Sequence, residues 1–200
     1  MYKRQLWYGR ILPFAHNLAK PTPATESGHL VPADPTWTDQ AARILARLNT
    51  TCGHRALRID HIGSTAVAGM DARDVIDVQI TVASLEVADE LAEDLLRVGY
   101  PQIESVTTDV SFDDETDIAL WRKRFHASAD PGRPAHLHVR VDGWPNQQFA
   151  LLFVDWLNAN PGLRTDYAHA KRSGDTQRWF REAHPRAWAW AESTGWPTVS

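Results

Sequence analysis

Apolar residues recur at helical spacing from Ala42 to Leu48, with Ala42, Ile44, Leu45 and Leu48 on one side and Thr36 or Thr38 ahead of them as a capping hydroxyl. Thr50, Thr51 and Gly53 supply a stop. The period then falls to two. Ala56–Ile62 alternates like a strand and runs into Gly63-Ser64-Thr65, and Val75–Val82 follows as a second strand rich in β-branched residues. Helical spacing returns over Ala83–Val98, where Leu85, Val87, Ala88, Leu91, Leu95 and Leu96 are apolar and Gly99 closes the run. Residues 101–135 have no clear period: acidic DVSFDDETD, basic WRKRF and the turn ADPGRP read as an irregular lobe or a pair of hairpins. His136–Val141 alternates again, and from Gln147 onward three helical runs follow. No internal repeat is evident. This order predicts an α+β (α/β) domain with a small sheet and a helical C-terminal part.

The beginning of the chain reads differently. Leu6, Trp7, Ile11, Leu12, Phe14 and Leu18 keep a helical spacing that Pro13 interrupts, and Pro21–Pro35 is rich in Pro, Ser, Thr and Gly. Residues 1–20 are therefore expected to be a tail or arm, 21–35 a linker, and 36–200 the main domain. The 200 residues are 43% hydrophobic and 23% charged, the balance of a protein with a sizeable core. A net charge of -4 argues against a nucleic-acid partner held by bulk positive charge. Cys52 is the single thiol, so no internal disulfide and no cysteine-based zinc site can form. With no apolar run of about 18 residues and no signal peptide, a cytoplasmic protein that meets no membrane is expected. Nine tryptophans are many for this length. Trp188 and Trp190 stand two apart on a helix, so one of them is expected to meet solvent or a partner while the rest pack.

Candidate chemistry gathers in His61–Val82. A strand running into Gly63-Ser64-Thr65 offers a tight turn, exposed backbone N–H groups and two hydroxyls, the makings of a phosphate cradle. The bland alternative is a strand-to-helix turn with a capping hydroxyl. Asp77 and Gln79 share a strand face, where a pair of carboxylates would hold Mg²⁺. The amide of Gln79 brings no charge, so Asp77 reads as a weak metal ligand or as a buried acid bonded to its surroundings. His136, His138 and Arg140 share a face of their strand and suggest an anion-facing surface, with His61 nearby. Zinc on the two histidines lacks a third ligand at a fixed spacing. Asp109, Asp113, Asp114 and Asp117 read as a solvated acidic loop, and Arg122-Lys123-Arg124 as solvated basic residues beside it. No glycine is followed by lysine, so no Walker A loop is present.

The HIGSTAV…VIDVQITV block, the HLHVRV strand, and FALLFVDWLNANP with Asp155 and Pro161, followed by Tyr167 and Lys171, resemble the GrpB-like family, a branch of the nucleotidyltransferase superfamily marked by Gly-Ser and an Asp-x-Asp/Glu strand. The resemblance covers roughly residues 35–190. It implies a mixed nucleotidyltransferase-like sheet flanked by helices. It also implies a nucleotide- or phosphate-binding role for His61, Gly63, Ser64, Thr65, His136, His138 and Arg140. LWYGRILPFAHNLA resembles the closing segment of the kinase in actinobacterial-type dephospho-CoA kinases that carry a GrpB-like domain behind it, and RAWAWAESTGW resembles the tail of those fused proteins, which implies that residues 1–20 are the C-terminal stub of a kinase domain. That likeness implies an accessory domain in coenzyme A biosynthesis, partnered by the kinase domain of a longer polypeptide and assisting its folding, stability or regulation. The rival implication is an active, Mg²⁺-dependent nucleotidyltransferase using Ser64, Asp77 and an acid from residues 109–117 or Asp142.

Overall fold

The computed structural model describes residues 29–112, 116–128 and 133–197; the stub assigned to residues 1–20, the linker up to residue 28, Asp113 and Asp114 lie outside them. Helix α1 spans Trp37–Cys52 and is followed by β1 (Arg58–Ile62), β2 (Ile76–Val82) and α2 (Leu85–Arg97). Then come β3 (Arg124–Ala127), β4 (Ala135–Val141), α3 (Pro145–Ala159), α4 (Pro161–Ser173) and α5 (Thr176–Thr194). Short 3₁₀ turns at Gly53–Arg55, Ser64–Ala66 and Ile118–Trp121 complete the order. The periodic elements stand where their patterns place them. The addition is β3, inside the stretch without a period.

The start of α1 is fixed one step earlier than a Thr36 cap would do it. Asp34 accepts from both the Thr36 amide and hydroxyl, and the Trp37 indole N–H donates to Asp74 at 2.8 Å. Ser84 caps α2 by accepting from the Val87 amide. The end of the linker is tied down too, since Val31 and Ala72 exchange backbone hydrogen bonds.

The sheet runs β1-β2-β4-β3. β2 and β4 are parallel, while β1 and β3 pair antiparallel on either side. The crossover from β2 to β4 carries α2, as a parallel pair requires. Ile76, Val78, Ile80 and Val82 of β2, with Leu137 and Val139 of β4, turn to one face and bury against Leu48 of α1 and Leu91 and Leu95 of α2. Each such side chain removed from water contributes roughly 1.5–3 kcal/mol.

The opposite face carries Asp77, Gln79 and Thr81 from β2 and His136, His138 and Arg140 from β4. In an antiparallel sheet such a face meets water. Here α3, α4 and α5 roof it, held together by a second apolar cluster of Phe149, Leu152, Phe153, Trp156, Tyr167 and Ala187 with Val67 and Met70. The apolar interior is thus in two parts, with a polar layer between them.

Trp37, Trp121 and Trp156 are buried, whereas Trp188 and Trp190 are both half-buried. The Trp188 indole donates to His184 Nε2 at 3.1 Å, and Trp196 donates to Asp155. The pair therefore shares its exposure instead of dividing into one buried and one free ring.

Candidate functional site

The roof does not close down on the polar face. It leaves a cavity of about 640 Å³ with a charged floor and an aromatic wall. Asp77, Lys123, His136, His138 and Arg140 line the floor, Arg73 and Gly63 lie at one side, and Phe112, Phe149, Phe153, Tyr167 and Phe180 form the wall.

Registry sets the floor. Asp77 stands beside His136, and Gln79 beside His138. His136 Nδ1 and His138 Nε2 lie 3.4 and 3.5 Å from the Asp77 carboxylate. Burial pushes this carboxyl up, but the two imidazoles facing it outweigh burial and hold it below the usual carboxylate range. The other nitrogen of His138 faces two cations, Lys123 Nζ and Arg140 Nη2, each at 3.1 Å. Nδ1 must therefore accept, and the ring proton sits on Nε2 toward Asp77. Burial and these cations push His138 down to about 3, so the ring is neutral. Phe125 of β3 packs edge-on against both histidines, with ring centroids 5.1 Å apart.

Behind the histidines lies an ionic network. Arg140 donates to Asp109 through Nε and Nη2 and to the Gln79 amide oxygen through Nη1 at 2.7 Å. Lys123, only 5% exposed, also donates to Asp109, and so does Asn146. Burial pushes Lys123 down and Asp109 up. The cations win at Asp109, whose carboxyl is held low. Two readings from sequence are corrected here. Asp109 does not lie in a solvated acidic loop but is half-buried against Lys123 and Arg140, and Lys123 is not a solvated charge but is buried, its charge met by Asp109. Arg124 is also committed, to Asp89 of α2, while Asp117 caps the 3₁₀ turn through the Ala119 amide.

Gly63 has φ +72°, and a Cβ placed on it would lie 2.7 Å from Asp77 Oδ2. Glycine is required twice over, for the left-handed turn and for the approach to the acid. Ser64 accepts from Lys171 Nζ of α4 at 2.8 Å, 107 residues away in sequence. His61 and Thr65 serve the turn itself: His61 Nε2 lies 2.9 Å from the Thr65 hydroxyl, which reaches the Val75 carbonyl. Burial lowers the pKa of His61, leaving a neutral ring. Arg73 and Lys171 make no ion pair with a carboxylate among the described residues, so two cations flank Gly63-Ser64 without an acid of their own. Sequence reading passed over Arg73, gave Lys171 no role and missed the aromatic wall; Lys171 next to Arg172 looks like an ordinary polar helix face.

The donors do not fit a two-carboxylate Mg²⁺ site. Gln79 is fully buried, its oxygen held by Arg140 and its NH₂ donating to the Gln147 carbonyl. Asp142 cannot supply the missing acid. Its amide bonds to Val82, at the far end of β2, about 16 Å along the strand from Asp77. Among the described residues no group of three or more His, Cys, Asp or Glu side chains stands ready to hold a metal ion.

The family model described as GrpB protein matches residues 28–184. The chain belongs to the GrpB family. This GrpB chain is 53% identical to a dephospho-CoA kinase of Mycobacterium leprae, with 96% of the chain and 54% of that protein covered. It thus spans about half the length of the dephospho-CoA kinases it matches. A UPF0157 protein of Halalkalibacterium halodurans is 29% identical over 81% of the chain and 76% of its own length. Among solved structures, GrpB from Enterococcus faecalis matches with a TM-score of 0.60 at 22% identity, covering 84% of this chain and all of that one. The expected fold, a mixed sheet flanked by helices, is the fold observed. No helix among the described residues is long and apolar enough to cross a membrane.

Proposed function

We propose that this GrpB chain is the accessory domain of a dephospho-CoA kinase polypeptide. It supports the folding, stability or regulation of the kinase domain, and its pocket binds a ligand without catalysing nucleotidyl transfer. The observation that carries this reading is Gln79. At the position where the nucleotidyltransferase pattern has a second acid, both ends of a buried amide are bonded to Arg140 and Gln147. The 53% identity to dephospho-CoA kinases over nearly the whole chain points to the polypeptide it serves. Arg73, Lys171 and Ser64 form a cationic cradle for a phosphorylated small molecule such as a nucleotide, and the phenylalanine wall receives an apolar body. Lysine and arginine there supply the positive charge that Mg²⁺ supplies in a two-carboxylate site.

Co-expression with the matching kinase domain is the test. Raised soluble yield or co-purification is expected; no association and no effect on kinase solubility would sink the accessory role. The second reading, Mg²⁺-dependent nucleotidyl transfer to an unidentified acceptor, draws on the close approach of Asp77 to Gly63. Calorimetry with ATP, GTP, CTP and UTP, with and without Mg²⁺, separates the two. Binding that needs the metal and vanishes in Asp77→Ala favours the enzyme, whereas binding that persists in EDTA favours the metal-free cradle.

A further inference from the structure

The chain has four lysines, and the two among the described residues differ sharply. Lys123 is bound to Asp109. Lys171 has no acid. Its Nζ donates to the Ser64 hydroxyl at 2.8 Å and lies 5.0 Å from the centroid of the Tyr167 ring. The charged groups that bear on it are Arg73, from the segment before β2, and Asp77 of β2. Its neighbour Arg172 is tied to Asp71. Burial and the repulsion of Arg73 prevail over the attraction of Asp77 and push the Lys171 amine down to about 8. At about pH 8 that leaves roughly a hundred times more free amine than an ordinary lysine has. A half-buried amine with one hydroxyl acceptor, beside a cation that has no acid partner, meets the requirements of an activated nucleophile.

We propose that Lys171 is a nucleophilic lysine that takes the acyl group of acyl phosphates. The neutral Nζ attacks the carbonyl carbon and an N–C bond forms. The C–O bond to phosphate breaks, with its electron pair leaving on the phosphate oxygen. The proton shed by the nitrogen passes to that phosphate, with the Ser64 hydroxyl placed to relay it. The products are an amide on Lys171 and inorganic phosphate. The choice of an acyl phosphate rests on the anion cradle proposed above, because the departing phosphate is what Arg73 would hold; the reactivity of the amine does not. Acylation removes one of the two acid-free cations and so weakens the cradle it happens in.

The full chain is incubated with acetyl phosphate over a range of pH, and acetylation of Lys171 is followed by peptide mass spectrometry beside a synthetic peptide of residues 164–178. Lys171 is expected to react at least about tenfold faster than the peptide lysine near pH 8, with the rate half-maximal near that pH and level above about pH 9. Arg73→Gln should move the half-maximal pH upward and slow the reaction at neutral pH, which a lysine of merely structural role would not show. Reaction no faster than the peptide, or a rate still climbing at about pH 10, overturns the proposal. Trinitrobenzenesulfonate, an amine reagent without a phosphate, separates the two parts. Fast trinitrophenylation with slow acetylation overturns the acyl-phosphate assignment. Fast acetylation that millimolar inorganic phosphate fails to slow supports the nucleophile and removes the anion cradle.

Discussion

Replacing Gly63 with alanine perturbs the turn and the acid behind it in one step. The backbone there has φ +72° and ψ −168°, a region essentially reserved for glycine, where an L-residue costs on the order of 1–3 kcal/mol. The added methyl would also sit 2.7 Å from Asp77 Oδ2, 3.2 Å from its Cγ and 3.1 Å from its Cβ. Asp77 has little room to retreat, because His136 and His138 face its carboxylate from β4. Overpacking of this kind costs about 1–3 kcal/mol, so the total is about 2–6 kcal/mol. For a domain of this size that is a fall in Tm of roughly 4–24 °C. Urea unfolding of the wild type, Gly63→Ala, Asp77→Ala and the double variant resolves the two contributions. Asp77→Ala deletes Oδ2 and Cγ, so the double variant should recover about 1–2 kcal/mol relative to the sum of the singles, leaving the φ cost in place. A loss below about 1 kcal/mol in Gly63→Ala, or strict additivity, would refute the crowding argument.

Arg140→Met leaves the Asp109 carboxylate with Lys123 as its one remaining cation, beside the Asn146 amide, and leaves the Gln79 oxygen unpaired; about 3–5 kcal/mol of unfolding free energy should be lost, measured by urea titration. Gln79→Glu should not create a metal site. It replaces the NH₂ that serves the Gln147 carbonyl with an oxygen, so about 1–3 kcal/mol is lost and Mg²⁺ calorimetry stays flat. Stability should also fall on acidification. Burial takes His126 from 6.5 down to about 4, so the unfolded chain binds a proton that the folded chain refuses. This contribution is complete above pH 6.5 and lost as pH falls toward 4, about 3 kcal/mol in all, and His138 acts in the same direction. Unfolding curves between about pH 7 and pH 4 should show that slope, and His126→Leu should flatten part of it.

The elements legible in the sequence are those whose burial is one-sided and periodic. Ile76, Val78, Ile80 and Val82 announce β2, and Leu85 to Leu96 announce α2. β3 gives no such signal. It is four residues long, Arg124 is paired with Asp89, and its buried member is His126, whose Nδ1 donates to the Tyr100 carbonyl. The site was half legible for a related reason. Gly63, Ser64, Asp77, His136, His138 and Arg140 announce themselves by turn chemistry and by alternation along two strands. Asp109 and Lys123 are 14 residues apart, and Arg140 is 31 from Asp109; each alone looks like a surface charge, and only their meeting makes burial affordable. The alternation of β2 and β4 reads equally well as a sheet face open to water, and nothing in its period says that three helices will cover it.

The polar layer between the two apolar clusters has a mechanical meaning. Sheet, α1 and α2 draw their cohesion from one oily centre, and α3–α5 from another. What joins them includes hydrogen bonds between polar groups: Gln147 of α3 to Gln79 and Thr81 of β2, Asn146 of α3 to Asp109, and Lys171 of α4 to Ser64. The domain should therefore come apart along this seam before either half melts. In hydrogen exchange, amides of the roof should lose protection as one cooperative unit while those of β2 and β4 hold.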